Sequence, residues 1–134
     1  MDNIWGLFLV FFGGGTGSVF RYLVEKMVFK QTSNDFPFAT LLVNLIGSFL
    51  IGVLFVGMDK YSILSSHRLF LATGFLGGFT TFSTFTLQSV NMIRNESYVN
   101  AMANIVLSII LGLVFVLIGI FSARLFLKDY QPIG

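Results

Sequence analysis

The residues with the most capacity for chemistry crowd into "TTFSTFT", residues 80–86. Thr80, Thr81, Ser83, Thr84 and Thr86 supply hydroxyls, and Phe82 and Phe85 supply two rings three positions apart. Residues three apart on a helix share a face, so the rings align. An aromatic ring is negative over its face and positive at its edge. A ring pair turned edge-on to a narrow path can therefore touch a small anion without any fixed positive charge. Phenylalanines at this spacing are also ordinary packing residues, and the chain has 17 of them. Just upstream, Gly77 and Gly78 each lower helix propensity by about 1 kcal/mol. The hydroxyls that follow can bond backbone groups in place of helical partners. "GFLGGFTTFSTF" (74–85) thus reads either as a helix broken near its middle or as a continuous helix with glycines at a packing seam. A break would free carbonyls around Gly77 to Thr80, and oxygen dipoles of that kind suit a hard cation.

The elements that must position this stretch are membrane spans. Of 134 residues, 55% are hydrophobic and 10% charged, and the mean hydropathy is +0.87. Soluble domains carry about 25% charged residues. Four apolar runs, at 4–22, 38–58, 69–93 and 101–126, each meet the roughly 20 residues that a helix needs to cross hydrocarbon. Nothing between them is long enough to fold separately, so residues 1–134 form one four-span, all-α membrane unit. There is no cysteine, which excludes disulfides and thiolate metal sites. The N-terminal run resembles a signal peptide but has Asp2 in place of a basic region, and it is read as a span.

Polar residues within the runs are few. None holds Asp or Glu: Glu25, Asp35, Asp59 and Glu96 fall at ends or in loops, as does His67. A proton-coupled carrier commonly titrates a buried carboxylate. A four-span antiporter would therefore have to rely on Glu25, placed just past the first span. Asn44, in the middle of the second span, is either interhelical glue or a group that meets a ligand. Arg21 ends the first span, where arginine snorkels to the interface or serves an internal role. Asn104, Ser108 and Gly112 lie four apart on one face of the fourth span, a stripe that should face protein or water. Gly13 and Gly17, Ser48 and Gly52, Gly74 and Gly78, and Ser108 and Gly112 are small-residue pairs that permit close helix packing. "GGGTGS" is not read as a phosphate loop, because no strand precedes it. Lys60, Arg68, Arg124 and Lys128 fall on one side of the spans, and Arg21, Lys26, Lys30 and Arg94 on the other. That even split gives the positive-inside rule nothing to act on. Either the chain inserts both ways up, so that opposed copies can pair, or one orientation prevails for reasons the count does not capture.

Three motifs in order, "GGGTGSVFRY", "FPFATLLVNLIGSFLIG" and "GFLGGFTTFSTF", resemble the Fluc (CrcB) family of fluoride channels. The resemblance spans the whole chain and implies a non-enzymatic, passive, fluoride-selective channel in the bacterial inner membrane. It implies an antiparallel, dual-topology homodimer with the third helix broken at mid-membrane and a pore on each side of the interface. The partners so implied are fluoride, a second copy of the chain and the lipid bilayer, with no nucleic acid. By the same resemblance, the carbonyls of Gly77 and Thr80 from both copies would hold a structural Na⁺. Phe82 and Phe85 would line the pore, and Asn44 would donate to the ion. Ser83, Thr84 and Ser108 would form a hydroxyl track, and Arg21 would be structural or vestibular. The chain departs from the common pattern at Ser18, Ala39 and Leu76. It also carries Gln88 where many members have glutamate, which removes a carboxylate from the vestibule. A non-transporting scaffold would leave the broken helix and its aligned rings without purpose.

Overall fold

The computed structural model describes residues 2–29, 36–61 and 65–127, and every regular element among them is helical. Helix α1 is Asp2–Phe29 and α2 is Phe38–Tyr61. The third span opens with α3 (Ser65–Arg68), winds as a π-helix over Leu69–Leu76, and returns to α-helix in α4 (Gly77–Phe79). Helix α5 (Phe82–Arg94) completes it, and α6 (Tyr98–Phe126) is the fourth span. Four segments are long and apolar enough to cross a membrane: Ile4–Val28, Phe38–Met58, Ser66–Arg94 and Tyr98–Phe126. The protein is a multi-pass membrane protein. Lys30, Asp35 and Lys128 lie outside the described residues.

Two boundaries differ from the sequence expectation. Helix α1 continues past residue 22 through Phe29, so Arg21 and Glu25 both stand inside it rather than at or beyond its end. Nothing in residues 23–29 breaks a helix, and hydropathy marks where a span leaves lipid, not where its hydrogen bonds stop. His67, expected in a loop, lies in α3 and is exposed.

Large apolar side chains along α1 and α6 face outward, among them Phe8, Phe11, Leu113 and Phe121. Lipid is as apolar as those side chains, so their burial against protein gains little, and close backbone packing holds the helices together instead. The chain makes two such crossings. At the first, α1 lies against the π segment and α4, where Gly13 and Gly14 meet Gly74 and Gly78, and Gly17 meets the backbone of Phe75 and Phe79. A Cβ on Gly74 would come within 2.9 Å of the Gly13 Cα, and one on Gly17 would run into the Phe75 carbonyl. At the second, α2 lies against α6, the most extensive helix contact in the fold. A Cβ on Gly52 would strike the Val116 carbonyl, and one on Gly119 the Phe49 carbonyl. Gly112, by contrast, has room: its Cβ would stand 3.7 Å from Ser48 Oγ.

Backbone atoms at these crossings cannot step aside. Gly17→Ala should therefore destabilise the purified protein by about 1–3 kcal/mol, read as a fall in melting temperature. Gly15→Ala, where a Cβ would meet nothing within 4 Å, should leave the melting temperature unchanged.

Candidate functional site

The third span changes character at Thr80 and Thr81. Helix α4 closes with the Thr80 N–H and the Thr80 Oγ1 hydroxyl both donating to the Leu76 carbonyl at 2.9 Å. Thr80 then turns to φ −78°, ψ 156°, and Thr81 to φ −146°, ψ 114°. Two extended residues therefore separate α4 from α5. The glycines are not where the helix opens: Gly77 is helical at φ −62°, ψ −35°. Gly78 is required by the crossing, since a Cβ there would strike the Gly14 carbonyl.

Asn44 satisfies the extended backbone. Its Oδ1 accepts from the Thr81 N–H at 2.9 Å, and its Nδ2 donates to the Thr81 carbonyl at 3.1 Å. The side-chain amide thereby acts as a neighbouring strand would, filling both valences of one peptide residue. Thr81 is buried, and its Oγ1 caps α5 by accepting from the Thr84 N–H at 3.2 Å while donating to Thr84 Oγ1 at 2.9 Å. Capping by a threonine side chain is a standard way to satisfy the first orphan donors of a helix.

These bonds decide which carbonyls are released. In an unbroken helix the Thr81 N–H would bond Gly77 and the Thr84 N–H would bond Thr80. The first goes to Asn44 and the second to Thr81 Oγ1. Gly77 and Thr80 thus lose their helical donors, and both line a cleft of about 400 Å³ together with Asn44, Ser48 and Phe82. No Asp or Glu lines that cleft, and no group of three or more His, Cys, Asp or Glu gathers among the described residues. A cation held here would be held by backbone and hydroxyl oxygens, a donor set that suits a hard monovalent ion.

Past the break, the Phe82 and Phe85 rings stand 5.6 Å apart between centroids and are tilted by 47°. Phe82 is 77% exposed, whereas Phe85 is 8% exposed. Ser83 is exposed and Thr84 is half-buried. Thr84 and Gln88 line a second cleft of about 480 Å³, shared with Tyr22, Glu25, Lys26 and Thr40. Gln88 Oε1 is buried without a hydrogen-bond partner.

Residues 8–120 match the family model described as CrcB-like protein, Camphor Resistance (CrcB). The chain belongs to the CrcB family. Proteins named Fluoride-specific ion channel FluC are similar to it over nearly their whole length. The one from Phocaeicola vulgatus is 41% identical over 118 residues, covering 88% of this chain and 98% of that protein. The one from Hydrogenobaculum sp. is 43% identical over 117 residues, covering 87% and 95%. The one from Clostridium perfringens strain 13 is 39% identical over 126 residues, covering 93% and 98%.

In this CrcB-family chain, Asn44, Gly77, Thr80 and Phe82 converge on the central cleft, and Thr84 and Gln88 on the second. Phe85 lies between them, packed into the protein. Ser108 and Arg21 line neither cleft, and Ser108 Oγ is buried without a hydrogen-bond partner. Asn104, from the same stripe as Ser108, is buried and donates to Ser89 Oγ at 2.9 Å. Ser89, whose hydroxyl donates to the Phe85 carbonyl, is a neighbour of the ring pair that sequence reading missed. The available signal was its place four residues after Phe85, one helical turn along the same face.

Asn44→Leu would leave the Thr81 N–H and carbonyl buried and unpartnered, at about 1–3 kcal/mol for each group. Thr81→Val would keep both backbone bonds to Asn44 and remove the helix cap, worth about 0.5–2 kcal/mol, together with the bond to Thr84 Oγ1. Denaturation of the two purified variants should therefore show the larger loss of stability for Asn44→Leu.

Proposed function

We propose that this chain is a fluoride channel that works as two copies inserted in opposite orientations. The observation that carries this reading is the near-full-length similarity to proteins named as fluoride-specific ion channels. Geometry within the chain supports it. Backbone groups released at a break within a membrane span are poor company for lipid. A second copy laid over this face would cover them, and the even division of basic residues permits that copy to enter the other way up.

The pore residues act by replacing water. Fluoride is small and strongly hydrated, so a path must offer hydrogen-bond donors and positive ring edges in close succession. Asn44 spends one Nδ2 hydrogen on Thr81, and its second is available to an ion in the cleft. Phe82 and Phe85 offer ring edges, and Ser83 and Thr84 offer hydroxyls, whereas Ser108 lines neither cleft of the single chain. Gln88 adds no further carboxylate to the second cleft, where Glu25 and Lys26 already stand together, and Arg21 carries a positive charge on the same helix as those two residues. The Gly77 and Thr80 carbonyls from two copies would hold a Na⁺ at the interface, where it would supply a fixed charge linking the subunits. In the bacterial inner membrane such a pore lowers cytoplasmic fluoride passively, down its own gradient.

The test is efflux from liposomes containing the purified protein, read with fluoride and chloride electrodes. Fluoride should leave far faster than from empty vesicles, while chloride stays inside. Fluoride loss no faster than from empty vesicles would refute the reading. Phe82→Ile, which keeps an apolar side chain but removes the positive ring edge, should slow efflux by about tenfold or more, the loss of one interaction of about 1.4 kcal/mol. Purification with Na⁺ replaced by a large organic cation should lower the melting temperature of the assembled protein; an unchanged melting temperature would count against the sodium site.

A further inference from the structure

The two phenylalanines of α5 lie between two asparagines. On the upstream side, Asn44 of α2 bonds Thr81, the residue before Phe82. On the downstream side, Asn104 of α6 donates to Ser89 Oγ at 2.9 Å, and Ser89 Oγ donates to the Phe85 carbonyl at 2.9 Å. The serine hydroxyl has one proton, which is committed to Phe85, and a lone pair, which receives the asparagine N–H. Asn104 is 1% exposed and Ser89 is buried, so water does not compete for either bond.

The anchors themselves stand on a rigid base. Asn44 and Asn104 belong to α2 and α6, the helices locked backbone to backbone at Gly52 and Gly119. Direct contact between α2 and α5 is slight compared with that between α2 and α6. A hydroxyl bonded to the carbonyl four residues back competes with the helix's own donor and bends the helix at that turn. Asn104 donates to the lone pair that remains on that hydroxyl and so ties this turn to α6.

We propose that Asn104 is a positioning residue for the Phe82–Phe85 pair: acting through Ser89, it sets the roll and bend of α5 and hence the relation of the two rings. Asn104 lines neither of the two clefts described above. The transport readout of this proposal rests on the fluoride reading above, and its structural readout does not.

The experiment compares Asn104→Ala, Ser89→Ala and the double variant in fluoride efflux from liposomes and in hydrogen exchange over residues 85–89. Each single variant should slow efflux about threefold to tenfold, the scale of one interhelical hydrogen bond. The double should be no slower than the slower single, because both changes remove the same link. Exchange over 85–89 should rise in all three. Val56→Ala, which thins the buried core of α2 elsewhere, should lower the melting temperature yet keep both efflux and exchange at 85–89 as they were. Single variants that conduct at the unsubstituted rate, or losses that multiply in the double, would overturn the proposal. Should Asn104→Ala fail to assemble, Ser89→Ala, the smaller change, decides by the same two readouts. Should the unsubstituted protein move no fluoride, the fluoride reading fails by itself, and unchanged exchange over 85–89 in the variants would then overturn the positioning role.

Discussion

The reciprocal pair between the Asn44 amide and the Thr81 backbone is the contact on which the rest of the structure depends. A helix that opens inside a membrane leaves peptide groups that lipid cannot satisfy. Asn44 takes both valences of Thr81, so the chain can run extended for two residues and start again as α5. By drawing the Thr81 N–H away from Gly77, the same bond turns a helical carbonyl into a free one. Capping by Thr81 Oγ1 does the same for Thr80. The break and the release of the Gly77 carbonyl are thus one event, and a single side chain on a different helix holds the helix open.

That side chain works only if α2 is held in place, which the glycine crossings ensure. Apolar burial contributes little inside lipid, and the outward-facing phenylalanines and leucines of α1 and α6 are consistent with this. Helices in lipid gain instead from close backbone approach and from hydrogen bonds between them. The fold contains both in separate places. Glycines join α1 to the π segment and α4, and α2 to α6, while asparagines tie α5 to its neighbours. Rigid pairs of helices therefore carry a short, polar-anchored helix that bears the aromatic rings.

The two rings differ because of this arrangement. Phe85 points into the protein, one turn before the serine that ties α5 to α6. Phe82 follows the break directly and has no neighbour to cover it in the single chain. Phe82 is thus the ring left open, beside the cleft that it shares with Asn44 and Thr80.

Hydropathy alone determined the four spans, because apolar run length tracks the thickness of hydrocarbon and owes nothing to partners. Spacing alone also put Phe82 and Phe85 on one face, but the expectation of spans without a carboxylate failed at Glu25, which stands inside α1 and within the apolar segment Ile4–Val28. The position of the opening was only half legible. Gly77 and Gly78 look like helix breakers in isolation, yet both stay helical; the missing side chain of Gly78 is spent on the crossing with α1, whereas a Cβ on Gly77 would meet only the Ala72 carbonyl at 3.9 Å. The opening came three residues later, where Asn44 could reach. Asn44 and Asn104 were each visible as polar residues in apolar runs, but not as a pair bracketing the rings. Partner identity depends on which helix faces which and at what depth, and that is set by the glycine crossings between residues far apart in the chain. Only the tertiary structure could decide it.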